Sequence, residues 1–221
     1  MIICPLTGSN KPKIMSIKVL LPEPLSPIIP TVSPFLILKL ILFKANKTAG
    51  VDEVGRGCLA GPVFAAAVIL KNNINIKDIK DSKKISFKKR ILLSKYIKKN
   101  SIYAVGSASV KEINKINILN ASLLSMKRAL NKLKLKPSKA YIDGPFIPKN
   151  SKLKCKAFIR GDEKIPCISA ASIIAKTSRD LFMINLSKKH PNYNWQKNFG
   201  YGTKDHLIGL KKYGITKHHR K

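Results

Sequence analysis

Residues 49–70 read AGVDEVGRGCLAGPVFAAAVIL, and the organisation of the chain is worked out from this stretch. Ala49–Val54 and Pro62–Leu70 are two short apolar runs of strand length. Gly55, Arg56, Gly57 and Gly61 mark a turn between them. The first run carries two acids, Asp52 and Glu53, one residue ahead of Gly-Arg-Gly. Glycine lets a backbone approach a ligand closely, and an arginine can fork onto phosphate or ribose oxygens.

Downstream, strand-like and helix-like runs alternate. Ser86–Lys98 is a basic amphipathic helix after Asp81-Ser82-Lys83-Lys84, and Ser101–Val110 is a third strand. Leu119, Leu123, Met126, Leu130 and Leu133 recur at spacings of four and three, the apolar stripe of a core-facing helix. Lys139–Asp143 and Lys154–Ile159 are short strands around Gly144-Pro145. Ser169–Leu186 is a second long helix with Ser169, Ser172, Lys176 and Arg179 along one polar face. Interleaved strands and helices predict an α/β fold with a mixed central sheet flanked by helices. Composition changes near residue 47, because seven of the 13 prolines precede it. Each removes an amide donor and restricts its predecessor. Three regions follow: 1–46, a Pro-rich extension expected to be disordered or not native; 47–186, an α/β domain in which function is to be sought; and 187–221, a helical region with a basic tail.

The 221 residues include 43 Lys and Arg against 11 Asp and Glu, a formal charge of +32. Such a surplus seeks a polyanion, and nucleic acid is the commonest one. Only six of the basic residues are Arg, so an AT-rich coding sequence is a second source of the bias. The charge names a partner class and no reaction. Cys4, Cys58, Cys155 and Cys167 form no C-x-x-C pair, which argues against a zinc or disulfide framework and for a reducing cytoplasm. The longest apolar stretch, Pro34 to Phe43, is too short for the roughly 20 residues that span a bilayer. No membrane association is expected.

With so few acids, each one is informative. Glu112, Asp78 and Asp205 lie among Lys and Asn and read as solvated surface charge. Asp52, Glu53 and Asp143 close apolar strands, while Asp162 and Glu163 occupy a short polar link before the Ser169 helix. A carboxylate with apolar neighbours loses hydration unless a cation compensates it. Either an abundant lysine or a divalent metal could do so, and residue positions alone leave both open. Hard oxygen ligands suit Mg²⁺ or Mn²⁺, which would also reconcile a cluster of acids with an anionic partner. Two such ions clamp the attacking water and the leaving oxygen of a phosphodiester. Asp180 stands four residues after Lys176 on one helix, the spacing of a structural ion pair. His190, His206, His218 and His219 lie on an apparent loop, a basic helix and the tail, and are expected at the surface.

The pieces AGVDEVGRGCLAGPVFAAAVIL, KDSKKIS, YAVGSASVKEINKINIL, YIDG, GDEKIPCISAASIIAKTSRD and FGYGTKDH follow one another in an order that resembles ribonuclease HII, the type 2 ribonuclease H family. The likeness runs from about Ala49 to Gly214. It implies a ribonuclease H-like mixed sheet of five strands flanked by helices, with a small helical C-terminal region contributing to substrate binding. It also implies an endoribonuclease that hydrolyses the RNA strand of RNA–DNA hybrids and incises 5′ to single ribonucleotides in duplex DNA, leaving 3′-hydroxyl and 5′-phosphate ends. By resemblance, Asp52, Glu53, Asp143 and Asp162 hold two Mn²⁺ or Mg²⁺ ions, and Gly55, Arg56 and Gly57 read the ribose 2′-hydroxyl. Tyr201 stacks on the following deoxyribose, and Lys83 and Lys84 lie near the backbone. Gly202 and Asn114 depart from the family pattern at positions without a catalytic role. A cytoplasmic monomer is expected. A non-catalytic basic nucleic-acid-binding protein and another ribonuclease H-like nuclease are the alternatives.

Overall fold

A computed structural model describes residues 48–71, 74, 79, 85–149 and 153–221. The extension 1–46, Asp78, Lys83 and Lys84 lie outside these residues. Five strands form one sheet: β1 (Thr48–Val54), β2 (Val63–Leu70), β3 (Ser101–Ala108), β4 (Lys139–Asp143) and β5 (Lys154–Phe158), in the order β3-β2-β1-β4-β5. β1 pairs antiparallel with β2 and parallel with β4; β2–β3 is antiparallel and β4–β5 parallel. The helices are α1 (Phe87–Lys99), α2 (Val110–Lys132), the one-turn α3 (Gly161–Lys164), α4 (Pro166–Ser187), the short α5 (Trp195–Asn198) and α6 (Lys204–Tyr213). The mixed sheet expected from the sequence is present.

Side-chain alternation along the strands assigns each face its cover. Ala65, Ala67 and Ile69 of β2 join Ala49 and Val51 of β1 in a core with Met126, Ala129 and Leu130 of α2 and with Leu133, which follows it. Ala66, Val68 and Leu70 face the other way, into a core with Ile97 of α1 and Ala170, Ile173 and Ile174 of α4. The Leu123–Leu133 stripe is therefore core, as its spacing indicates. A sheet covered on both faces explains why β2 is apolar throughout instead of alternating with polar residues.

Boundaries move by a few residues for local reasons. β3 stops at Ala108 because Ser109 caps α2: its hydroxyl accepts from Glu112 N–H while the Glu112 carboxylate accepts from Ser109 N–H. α4 begins at Pro166, ahead of the expected Ser169, since proline is well placed in a first helical turn. Residues 187–221 are built onto the sheet domain. Tyr193 and Trp195 share a small core with Ala60 of the β1–β2 loop and Met183 of α4. Thr216–Lys221 folds back along that loop, with Gly61 N–H donating to the His218 carbonyl at 2.8 Å and Arg220 N–H to the Leu59 carbonyl at 2.9 Å. No helix among the described residues is long and apolar enough to cross a membrane.

Candidate active site

Parallel pairing of β1 and β4 places Val51 opposite Ile142, so Asp52 and Asp143 follow at adjacent strand ends. The Asp143 Oδ1 atom accepts from Gly161 N–H at 2.7 Å and Asp162 N–H at 3.4 Å, which ties the start of α3 to the end of β4. Arg160, in the left-handed region at φ 55°, turns the chain into that helix. Ser169 Oγ then donates to the Asp162 carbonyl, fastening α3 to α4. The result is a cleft of about 350 Å³ lined by Asp52, Glu53, Asp143 and Asp162, together with Val54, Arg90, Ser172, Ile173 and Lys176. All four acids named from the sequence meet here. Asp162 is 4% exposed and belongs to a helical turn, where the sequence suggested a short polar link.

The cluster is electrostatically unfavourable as it stands. Asp52 is 5% exposed, and its pKa is pushed well above the ordinary carboxylate value, first by burial and then by Glu53 and Asp143. The Ser172 hydroxyl and Glu53 N–H act against that shift, the latter bonding Asp52 Oδ1 at 2.7 Å. Glu53 is raised too, chiefly by burial, with Arg56 opposing and Asp143 adding. Its Oε2 is buried with no hydrogen-bond partner. Holding a buried carboxylate costs several kcal/mol, whereas each fully buried Val or Ile in the flanking cores contributes about 1.5–3 kcal/mol. The fold can therefore carry the cluster, and it carries it where a cation would remove the penalty. Four carboxylates with no His or Cys among the cleft residues are a hard-oxygen donor set that fits Mg²⁺ or Mn²⁺. Among the described residues, no three His, Cys, Asp or Glu side chains are gathered tightly enough to enclose an ion by themselves.

Beyond the acids lies the β1–β2 loop. Gly55 has φ 96°, and a Cβ there would strike the Arg179 side chain. A Cβ on Gly57 would meet no protein atom within 4 Å. Arg56 is half exposed, with Nη1 3.4 Å from Glu53 Oε1. Tyr201 pairs with Cys58 in a β-bridge, and the Lys176 Nζ atom lies 5.4 Å from its ring centroid. Burial and Cys58 raise the Tyr201 phenol to about 12, so it stays protonated. The carboxylate cleft, the Gly55–Gly57 turn and Tyr201 thus adjoin.

Other side chains depart from the expectations. Arg179 is fully buried, and donates to the Pro62, Phe199 and Ala60 carbonyls at 2.9, 2.9 and 3.0 Å. The polar face of α4 thus packs on the site and the loop. Asp180 is fully buried and bonds Lys176 Nζ at 2.8 Å, as its spacing indicates, and also Arg90 Nη1 of α1 at 3.1 Å. Both cations line the cleft. Arg90 was missed because only the fold brings α1 there. Glu112 is a cap and an Arg128 partner at 2.6 Å, with a pKa lowered to about 2, where solvated surface charge was expected. His206 and His219 are buried, contrary to the surface positions expected for them. Trp195 Nε1–H donates to His206 Nε2 at 3.0 Å, and the two imidazole Nε2 atoms are 3.0 Å apart. The residues that build this network are scattered in sequence, so nothing local announced it.

A five-stranded mixed sheet with a carboxylate cleft at adjacent strand ends defines a ribonuclease H-like hydrolase. Among solved structures, the chain superimposes on the ribonuclease HII of the PCNA complex from Archaeoglobus fulgidus with a TM-score of 0.66 and 29% identity, covering 78% of this chain and 93% of that one. The family model described as Ribonuclease HII matches residues 49–221. The Ribonuclease HII of Pelagibacter ubique is 63% identical over 173 residues, 78% of this chain and 93% of the relative. That of Neisseria meningitidis serogroup B is 49% identical over 175 residues, 79% and 90% of the two chains. The chain belongs to the ribonuclease HII family, whose members are metal-dependent endoribonucleases.

Proposed function

We propose that this chain hydrolyses the RNA strand of RNA–DNA hybrids and incises duplex DNA on the 5′ side of a single embedded ribonucleotide, leaving 3′-hydroxyl and 5′-phosphate ends. The reading is carried by the convergence of Asp52, Glu53, Asp143 and Asp162 on one cleft beside the Gly55–Gly57 turn and Tyr201. Those four carboxylates would hold two Mg²⁺ or Mn²⁺ ions, which when bound supply an activated water and charge for the leaving oxygen. The chain's own groups do the remaining work. Ser172 bonds Asp52 and orients it, and Asp143 is set by the start of α3. Arg90 and Lys176, held by Asp180, present positive charge on the cleft wall, where a phosphodiester would be drawn in. Open space at Gly57 leaves room for a ribose against the turn, where backbone amides can read a 2′-hydroxyl whatever the base. Tyr201 offers a ring to the next sugar. The partners are RNA–DNA hybrid and ribonucleotide-containing duplex, and we place the protein in the cytoplasm as a monomer.

The test compares a DNA duplex with one ribonucleotide, the same duplex without it, and an RNA–DNA hybrid, each with Mg²⁺, Mn²⁺ or a chelator. Cleavage of the first and third is expected only with metal, giving 3′-hydroxyl ends. Equal cleavage of the all-DNA duplex, or no cleavage with either metal, would overturn the reading.

A further inference from the structure

The β1–β2 loop between Arg56 and Pro62 is held chiefly by groups from outside the sheet. Arg179 takes the Ala60 and Pro62 carbonyls. Arg220 takes two others: its Nε donates to Gly61 O and its Nη1 to Arg56 O, both at 2.9 Å. Arg179 packs against Gly55, but of the two guanidiniums it is Arg220 that hydrogen-bonds a carbonyl of the Gly55–Gly57 turn. A peptide unit is planar and trans, so the carbonyl of one residue and the N–H of the next point to opposite sides of one plane. Fixing Arg56 O therefore fixes the direction of the Gly57 N–H, a donor of the turn beside open space.

Arg220 is itself immobilised. Its N–H bonds Leu59 O, His219 pairs with Ala60 in a β-bridge, and Lys221 N–H donates to Asn114 Oδ1 at 3.1 Å. Its Nη2 is buried without a hydrogen-bond partner, and burial lowers its pKa to about 10. A guanidinium serving stability alone is a poor choice there, since a buried unpaired donor is costly. What the position gains is control of two loop carbonyls by one rigid fork, which a lysine cannot reproduce.

We infer that Arg220 is a positioning residue for ribose recognition: through Arg56 O and Gly61 O it sets the Gly55–Gly57 turn, making Thr216–Lys221 part of the substrate-reading half of the site. The inference rests on the 2′-hydroxyl reading of that turn.

The test uses the full chain with Arg220→Ala and Arg220→Lys, assayed well below their melting temperatures on the single-ribonucleotide duplex. For both variants kcat/KM is expected to fall by about tenfold to a hundredfold, the scale of a small misplacement at a reacting centre. The affinity of Arg220→Lys for the all-DNA duplex should stay near that of the parent, because charge is kept. Methylguanidinium added to Arg220→Ala should restore part of the loss. A folded Arg220→Lys with parental kcat/KM would overturn the inference, because charge alone would then suffice. So would absence of rescue in an Arg220→Ala that melts as the parent does. Should Arg220→Ala not fold, the lysine variant decides alone. If the parent chain itself fails to separate the ribonucleotide duplex from all-DNA, the underlying reading falls first and this inference with it.

Discussion

Asp162 and Asp180 are both buried acids near the cleft, yet their surroundings differ. Asp180 sits between Lys176 and Arg90, a compensated charge that holds two cations in place. Asp162 lies on the cleft wall with Asp52, Glu53 and Asp143, where the negative charge is concentrated. Asp162→Asn should keep the melting temperature of the parent, lower turnover strongly, and recover in part with excess Mn²⁺. Asp180→Asn leaves two cations without their counter-charge and should lose about 3 kcal/mol of stability, the scale for breaking a buried pair. Turnover and thermal melting of both variants check this. An inactive but fully stable Asp180→Asn beside a near-parental Asp162→Asn would reverse the roles.

At the scale of elements, α4 links every part of the site. Ser172 and Lys176 face the cleft, Arg179 holds the β1–β2 loop, and Met183 packs under Trp195 and Tyr193. Its first turn crosses β1 at Gly50, where a Cβ would land on the Cys167 carbonyl group. Gly57 on the next loop has no such neighbour. One substitution at two glycines should therefore separate packing from function. Gly50→Ala forces backbone apart and should cost about 3 kcal/mol or more, by the scale of overpacking. Gly57→Ala should melt with the parent and lose cleavage of the single-ribonucleotide duplex, because the added methyl occupies space a ribose would enter. Denaturant melts with parallel assays measure both. A Gly57→Ala variant of full activity would mean that nothing approaches the turn there.

For the molecule as a whole, the histidine network joins α5, α6 and Thr216–Lys221 to one another. Trp195 Nε1–H donates to His206 Nε2, so His206 carries its proton on Nδ1, towards Tyr201 O at 2.9 Å. Thr216 N–H donates to His219 Nδ1 at 2.9 Å, which leaves the His219 Nε2–H facing His206. The network is complete with both rings neutral. Burial, then His206, lowers His219 from 6.5 to about 4, and burial lowers His206. A histidine depressed in the folded state takes up its proton in the unfolded chain first. Its stabilisation is full above about 6.5 and is lost as pH falls towards about 4. Asp52 and Glu53, raised on folding, act with the opposite sign, so the parent curve mixes the two. The melting-temperature gap between the parent and His219→Gln should therefore shrink as pH drops from 7 to 5. A constant gap would contradict the neutral network.

The strands, the two long helices, the strand-closing acids Asp52, Glu53 and Asp143 and the Lys176–Asp180 pair were legible in the sequence, because each is written locally, whereas Asp162 on its polar link was singled out by the family resemblance. Apolar runs, a stripe at helical spacing, acids closing apolar strands and an i,i+4 pair need no distant partner to be recognised. Tertiary structure decided whatever depends on residues far apart in the chain. Arg90 reaches the cleft only because α1 packs beside α4, and Arg179 is buried only because the loop before β2 folds over it. Two of the histidines were expected at the surface because their neighbours in sequence are polar, and nothing within the basic tail singled out Arg220. Their neighbours in space are a tryptophan, a tyrosine and the carbonyls of a loop about 160 residues away, and burial follows spatial neighbours.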